Sequence, residues 1–152
     1  MIRDLQDRLR ETLEALAHDY AYLILDCPPT LNLVAENIII AADYILVPVV
    51  PSTLSVRSYQ QLLAFVKEHE YDSKKIIPFF SMVQRSKKMH RDIVDSTLQQ
   101  DGVFLKSTIP FTSDIEKMGV TREPVPFSAP NSPAAQAYQC LWQEMQGVIC
   151  QD

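Results

Sequence analysis

Glycine is scarce in this sequence, and none of it lies in the first two thirds of the chain. The 152 residues contain only Gly102, Gly119 and Gly147. A loop that wraps closely around phosphate groups needs several glycines, because a Cβ atom would hold the backbone away from the phosphate oxygens. The residues before Gly102 therefore cannot form a glycine-rich phosphate-binding loop.

Cysteine is also rare, with Cys27, Cys140 and Cys150 as its three members. The number is odd and no two of them have the C-x-x-C spacing, so neither a disulfide framework nor a zinc site is predicted. Reduced thiols are the rule in a reducing compartment. We therefore expect three free thiols.

Long apolar runs and an excess of positive charge are absent as well. No stretch of about 18 apolar residues occurs, which argues against a membrane-spanning helix. The charges within Met1–Arg10 leave no apolar core for a secretion signal. The formal net charge is −5, so any contact with nucleic acid has to come from a local patch. These features predict a cytoplasmic protein.

Four apolar runs divide the chain at regular intervals. They are Ala21–Leu25, Tyr44–Val49, Ile76–Phe80 and Val103–Ile109. None of them alternates strictly between polar and apolar residues. Continuous apolar runs are typical of strands that are buried on both faces, as in a parallel sheet covered by helices.

Segments with helical spacing or helix-start residues separate these runs. They are Ile2–Leu16, Leu31–Ala42, Thr53–Glu70, Met89–Gln100 and a last helix that starts at Pro133 after Ser132. Ser52 or Thr53 can cap the helix that follows it, and the proline-rich Thr121–Pro133 reads as a surface loop. The order predicts one α/β domain over residues 1–152, a doubly wound and mostly parallel sheet covered by helices. Ligands of such domains bind beyond the carboxyl ends of the strands.

The first of these strand ends carries a carboxylate. Leu23-Ile24-Leu25 is followed by Asp26 and then by Cys27-Pro28-Pro29. A carboxylate at this place can hold Mg²⁺, or its water ligands, beside the phosphates of a nucleotide. An aspartate alone is weak evidence, because many aspartates at strand ends cap the next helix. The complete string is much more specific.

Several segments resemble one known family in the same order along the chain. Tyr22–Asn37, YLILDCPPTLNLVAEN, is similar to the Walker B region of the ParA/MinD family of P-loop ATPases, of the SIMIBI class. Ala41–Val49 resembles that family's next strand, Thr108–Pro110 its strand before the base-binding loop, and Ser132–Tyr138 the opening of its last helix. The resemblance is closest to ParA-like partitioning ATPases. It implies a P-loop NTPase-like fold of which this chain is the C-terminal part, without the N-terminal P-loop part.

The resemblance also implies roles for individual residues. Asp26 would be the catalytic Walker B aspartate, near the attacking water and near Mg²⁺, which it would hold through water. Gln84 would lie near the adenine, although a surface polar residue is an equal alternative. Pro110 and Phe111 would line the base pocket, where many relatives have arginine in place of Phe111.

The family's phosphate-binding loop, K-G-G-x-G-K-T, has no counterpart in this chain. ATP and Mg²⁺ are therefore expected as cofactors of the complete family protein, and none is expected in this chain alone. In the complete protein, ATP would join two subunits and hydrolysis would release them during chromosome, plasmid or cargo partitioning.

The resemblance implies partners as well. ParA-type proteins bind DNA non-specifically through basic residues of their C-terminal half, and a ParB-like protein is a further expected partner. The candidates for DNA contact are four cations within one short segment, Arg85, Lys87, Lys88 and Arg91. The alternative is a solvated helix start. Tyr138–Asp152 contains no Lys or Arg, which disfavours the basic membrane-binding tail of MinD-type proteins.

Two alternatives stay open at this point. One is a non-enzymatic adaptor, or pseudo-ATPase, that keeps the fold without the nucleotide. The other is a relative of the P-loop ligases that resemble cobyrinic acid a,c-diamide synthase. In the family's sheet the phosphate-loop strand lies between the strand of Leu23–Asp26 and that of Tyr44–Val49. We therefore expect an open slot between these strands and a homo-oligomer that covers it.

Overall fold

The computed structural model describes residues 2–27, 33–100 and 102–150. Seven helices and three strands make up the described part of the chain, together with one 3₁₀ turn at Ser73–Lys75. In chain order they are α1 (Ile2–Ala17), α2 (Leu33–Ala41), β1 (Ile45–Val49), α3 (Thr53–Glu68), β2 (Ile76–Val83), α4 (Lys88–Gln100), β3 (Thr108–Pro110), α5 (Ser113–Thr121), α6 (Val125–Ser128) and α7 (Pro133–Ile149).

The three strands form one parallel sheet in the order β1-β2-β3. The pairing of β1 with β2 runs without interruption from Ile45 opposite Ile76 to Val49 opposite Phe80. The prediction of a parallel sheet with helical crossovers is therefore confirmed. Because the strands are parallel, the carboxyl ends of β1, β2 and β3 lie at the same edge of the sheet.

The central strand β2 is buried on both faces. Phe80, which is fully buried, belongs to a core cluster with residues of α3 and α4, whereas Phe79 belongs to a second cluster with residues of α7. Neighbouring residues of a strand point to opposite faces, so helices cover the sheet on both sides. The doubly wound α/β architecture predicted from the sequence is confirmed.

The two serine caps lie where the sequence places them. The Ser52 hydroxyl accepts a hydrogen bond from the Ser55 amide at the start of α3 (3.3 Å). The Ser132 hydroxyl accepts one from the Ala135 amide at the start of α7 (3.1 Å). Each cap satisfies an amide that has no partner within its helix.

The predicted strand Ala21–Leu25 is wrong. Residues 22–27 are in no helix or strand, and the large side chains of this segment are exposed, most of all Ile24 at 87%. A strand needs a neighbour to hydrogen-bond with, and the described residues supply none beside this segment. Because Ala21–Leu25 is not a strand, the predicted slot between it and the strand of Tyr44–Val49 stays a prediction. Pro28 and Pro29 lie outside the described residues.

Two further boundaries differ from the prediction. Within Val103–Ile109 only the end, from Thr108, is a strand, although Phe104 and Leu105 are buried as expected of that run. The Leu105 amide donates to the carbonyl of Pro78 (2.9 Å), so this stretch is tied to β2 outside the regular ladder. The predicted loop Thr121–Pro133 includes the short helix α6. No helix in the described ranges is long and apolar enough to cross a membrane.

Candidate functional site

The structure brings three of the predicted site residues to one place, the carboxyl end of β2 and β3. Gln84 follows the last residue of β2, Pro110 is the last residue of β3, and Phe111 comes next. The Phe111 amide donates to the carbonyl of Val83 (3.0 Å), which fixes the two chain exits side by side. Phe111 is exposed, while Gln84 and Pro110 are half-buried. Together they present an aromatic ring and an amide side chain at the sheet edge.

A β-bulge shapes the end of β2. Three residue steps on β2, from Phe80 to Val83, face two steps on β3, from Thr108 to Pro110. The extra residue is accommodated at Met82, which has φ +55° and exposes 47% of its surface. A left-handed conformation is unfavourable for a residue with a side chain, and bulges often occur beside functional sites.

His90 holds the turn that leaves β2, and the sequence did not assign it this role. Its side chain is buried, with 4% exposure, and its Nδ1 accepts a hydrogen bond from the backbone N–H of Gln84 (3.2 Å). Burial, together with the positive charge of Lys87, lowers the pKa of His90 below its ordinary value. The neutral form, which can accept this bond, is therefore favoured. The helical spacing of His90 with Ile93 and Val94 could have indicated that His90 is buried, whereas Met89 is exposed.

The four cations of the basic segment are all exposed. The Lys87 amide donates to the Gln84 carbonyl (3.0 Å), which closes the turn, and α4 begins at the next residue. The guanidinium of Arg91 donates to the carbonyl of Arg85 and so bridges the turn and the helix. Lys87 and Lys88 remain directed to solvent, next to the strand ends.

A carboxylate on α7 braces the approach to β3. The two oxygens of Glu144 accept hydrogen bonds from the amides of Lys106 (2.7 Å) and Ser107 (2.8 Å). Burial alone would raise the pKa of Glu144, but the hydrogen bonds from Ser107 and Lys106 and the charge of Lys106 outweigh it, so the pKa lies below the ordinary value. The ionised form thus fixes the chain just before Pro110.

Asp26 is not brought to this place by any described contact. It is exposed at the end of the extended segment, and no hydrogen bond or ion pair among the described residues joins it to Gln84, Pro110 or Phe111. The described residues contain no cluster of three or more His, Cys, Asp or Glu side chains that could hold a metal ion.

Comparison with known proteins gives this arrangement a context. The family model described as an AAA domain matches residues 1–79. A ParA family protein of Chlamydia muridarum is 25% identical over 144 residues, which cover 91% of this chain and 56% of that protein. The chain belongs to the ParA-like family of P-loop ATPases. The family suggested by the Asp26 string is therefore confirmed.

Two shorter matches add to the ParA-like assignment. The sporulation initiation inhibitor protein Soj of Bacillus subtilis is 38% identical over 60 residues, which cover 40% of this chain and 24% of Soj. The chromosome partitioning protein ParA of Myxococcus xanthus is 42% identical over 55 residues, 36% of this chain and 19% of that protein. Measured against the Chlamydia relative, this ParA-like chain spans little more than half of the length, 56%.

Proposed function

We propose that this chain forms the C-terminal part of the ATP-binding unit of a cytoplasmic ParA-like partitioning ATPase. The observation that carries the proposal is the convergence of Gln84, Pro110 and Phe111 at the carboxyl edge of a parallel sheet, where ligands of such folds bind. In this proposal the Phe111 ring packs against the adenine, and the side-chain amide of Gln84 hydrogen-bonds to the edge of the adenine. Asp26 orders the attacking water and Mg²⁺ once a phosphate-binding loop is present.

The first consequence concerns nucleotide binding by the chain alone. An aromatic ring and one amide contact only the base, whereas the phosphates need backbone amides and a lysine that this sequence does not supply before Gly102. We expect no micromolar binding of ATP and Mg²⁺ in titration calorimetry. Micromolar binding by the monomeric chain would contradict the proposal that this chain contacts only the base and leaves the phosphates to other residues.

The second experiment restores the phosphate-binding half. A segment carrying the family's phosphate-binding loop, K-G-G-x-G-K-T, is joined before residue 1, and folding is checked by circular dichroism. We expect ATP hydrolysis, lost by at least a hundredfold in Asp26→Asn because water and metal lose their carboxylate. Asp43→Asn, an exposed aspartate just before β1, is the matched control. Equal activity of the two variants would remove Asp26 from the proposed chemistry.

DNA contact is proposed for the basic segment beside the strand ends. Its cations are exposed on a turn that hydrogen bonds hold in place. Contacts of such cations with phosphates carry no sequence information and weaken with salt. We therefore expect weak, sequence-independent binding that decreases as the salt concentration rises.

A salt series with fluorescent duplex DNA tests this contact. The binding constant K falls as salt rises, and each lost phosphate contact makes the negative slope of log K against log salt shallower by about 0.9. Replacing Lys87, Lys88 and Arg91 by Ala should therefore make the slope shallower by about 2 to 3. The control replaces three exposed cations elsewhere, Arg57, Lys67 and Lys74. If the first variant keeps the wild-type slope, or the control loses it, the segment is not the DNA contact.

In the complete protein we propose a dimer that ATP closes and hydrolysis opens, with a ParB-like protein as partner. The lack of glycine before Gly102 favours a second candidate, an adaptor that uses the same fold without nucleotide. The two functions differ in the joined protein described above. An adaptor would bind its partner equally with and without ATP, whereas a partitioning switch would not.

A further inference from the structure

We propose that the edge formed by Gln84, Pro110 and Phe111 accepts guanine as readily as adenine, so that its ligands are purine nucleotides in general and not ATP alone. The inference rests on the proposed function, because it concerns the same base-binding edge. It starts from which polar groups of this edge are already paired within the chain and which are left to contact a base.

Discrimination between the two purines needs polar groups that are held in one pattern. Adenine presents an acceptor at N1 and a donor at its amino group, whereas guanine presents an acceptor at O6 and a donor at N1. A fixed donor or acceptor that pairs with one base is left unpaired by the other, and this penalty is the source of strong selectivity. An edge without fixed polar groups imposes no such penalty.

The backbone of this edge offers no free donor. The N–H of Gln84 donates to Nδ1 of His90 (3.2 Å), and the N–H of Phe111 donates to the carbonyl of Val83 (3.0 Å). Pro110 has no N–H at all. The bonds that fix the two chain exits therefore use up the backbone donors that could impose a fixed pattern on a base.

The two side chains that remain are permissive. Stacking on an aromatic ring such as that of Phe111, which is exposed, depends little on base identity, because every base has a π face. The side chain of Gln84 makes no hydrogen bond to another residue in the part of the chain that the structure describes. Its amide carries an acceptor oxygen and an NH₂ donor, and a half-turn exchanges their places. One orientation matches adenine and the other matches guanine.

The polar side chains that follow Phe111 do not restore a preference. A carboxylate only accepts, so it would select guanine, but Oδ1 of Asp114 lies 3.4 Å from Nζ of Lys117 and is engaged there. The hydroxyl oxygen of Thr112 is buried, and a hydroxyl can both donate and accept. Neither residue adds a group that tells the two purines apart.

NMR titration of the ¹⁵N-labelled chain with AMP and, separately, with GMP tests the inference. The two ligands share the ribose and the phosphate, so the ratio of their dissociation constants reports on the base alone. We expect both to shift the side-chain amide of Gln84 and the backbone amide of Phe111. Their dissociation constants should differ by less than about fivefold, the factor that one neutral hydrogen bond supplies.

The outcomes of this titration separate the two proposals. A larger preference for either nucleotide would refute the inference, whereas AMP binding at this edge would leave the proposed function intact. If neither nucleotide shifted these signals, the base-binding edge itself would be wrong, and both proposals would fall.

Gln84→Glu tests whether this residue reads the base. The carboxylate would accept from N1–H and the amino group of guanine, while N1 of adenine would face another acceptor. We expect a preference for GMP over AMP of about tenfold. Gln60→Glu, at an exposed position of α3, adds the same charge and should keep the wild-type ratio. Circular dichroism checks that both variants are folded. A wild-type ratio in Gln84→Glu would overturn the proposal.

Discussion

The hydrogen bonds between Glu144 of α7 and the residues just before β3 allow a quantitative test, because one carboxylate accepts from two backbone amides. Glu144 accepts from the amides of Lys106 (2.7 Å) and Ser107 (2.8 Å) and is half-buried. A hydrogen bond to a charged group contributes about 1.5–3 kcal/mol. In Glu144→Gln one amide keeps an oxygen acceptor and the other faces an NH₂ group, so we expect a loss of about 2 kcal/mol. At this chain length that corresponds to a melting temperature lower by about 4–8 °C.

The pH dependence makes this prediction more specific. The pKa of Glu144 lies below its ordinary value of 4.5 in the folded chain. The contribution is therefore complete above pH 4.5 and is lost as the pH falls through the lowered pKa. Urea unfolding of wild type and Glu144→Gln should show a constant gap near neutral pH that closes in acid. Glu123→Gln, at an exposed carboxylate, is the control. A gap no larger than the control's, or one that acid leaves unchanged, would refute the reasoning.

Three other predictions concern the core, a cap and the turn after β2. Phe80→Ala should cost about 4 kcal/mol in urea unfolding, because the ring is fully buried against Phe104; a loss below about 1 kcal/mol would mean that the core closes the cavity. Ser132→Ala should cost about 1 kcal/mol through the lost cap of α7, and restoration by Asp at this position would show that the cap is responsible. Burial lowers the pKa of His90, so the contribution of His90 to the free energy of unfolding is complete above pH 6.5 and declines as the pH falls below that value. The measured free energy of unfolding should show this decline in acid, and the decline should be smaller in His90→Gln.

The sequence predicts those parts of the fold whose signals are local. Ser52 and Ser132 mark helix starts by their own side chains, and the apolar run from Ile76 becomes the central strand because helices cover both of its faces. The segment Tyr22–Leu25 has an equally apolar run. It is not a strand, because a strand exists only with a neighbour, and no local pattern states whether the neighbour is present.

The candidate site likewise has features that the sequence predicts and features that depend on the folded backbone. Gln84 and Phe111 could be expected at the sheet edge, since each follows an apolar run. The bond between His90 and the Gln84 amide depends on the course of the backbone through the bulge, which sequence spacing does not reveal. The pairing of Glu144 with Lys106 joins positions 38 residues apart and arises only when α7 packs beside β3.

The bulge at Met82 has a consequence for how the strand tolerates changes in length. In a regular strand Val83 would point to the face opposite Phe80, yet both belong to the same core cluster, because the extra residue shifts the alternation by one. Removal of Met82 would therefore restore a regular strand with the Val83 side chain still in the same core cluster as Phe80. The reach of the strand would stay the same, because Phe80 would still lie opposite Thr108 and Val83 opposite Pro110. The strand can therefore lose one residue at the bulge without a shift of Gln84 along the sheet and without repacking of the core beneath it.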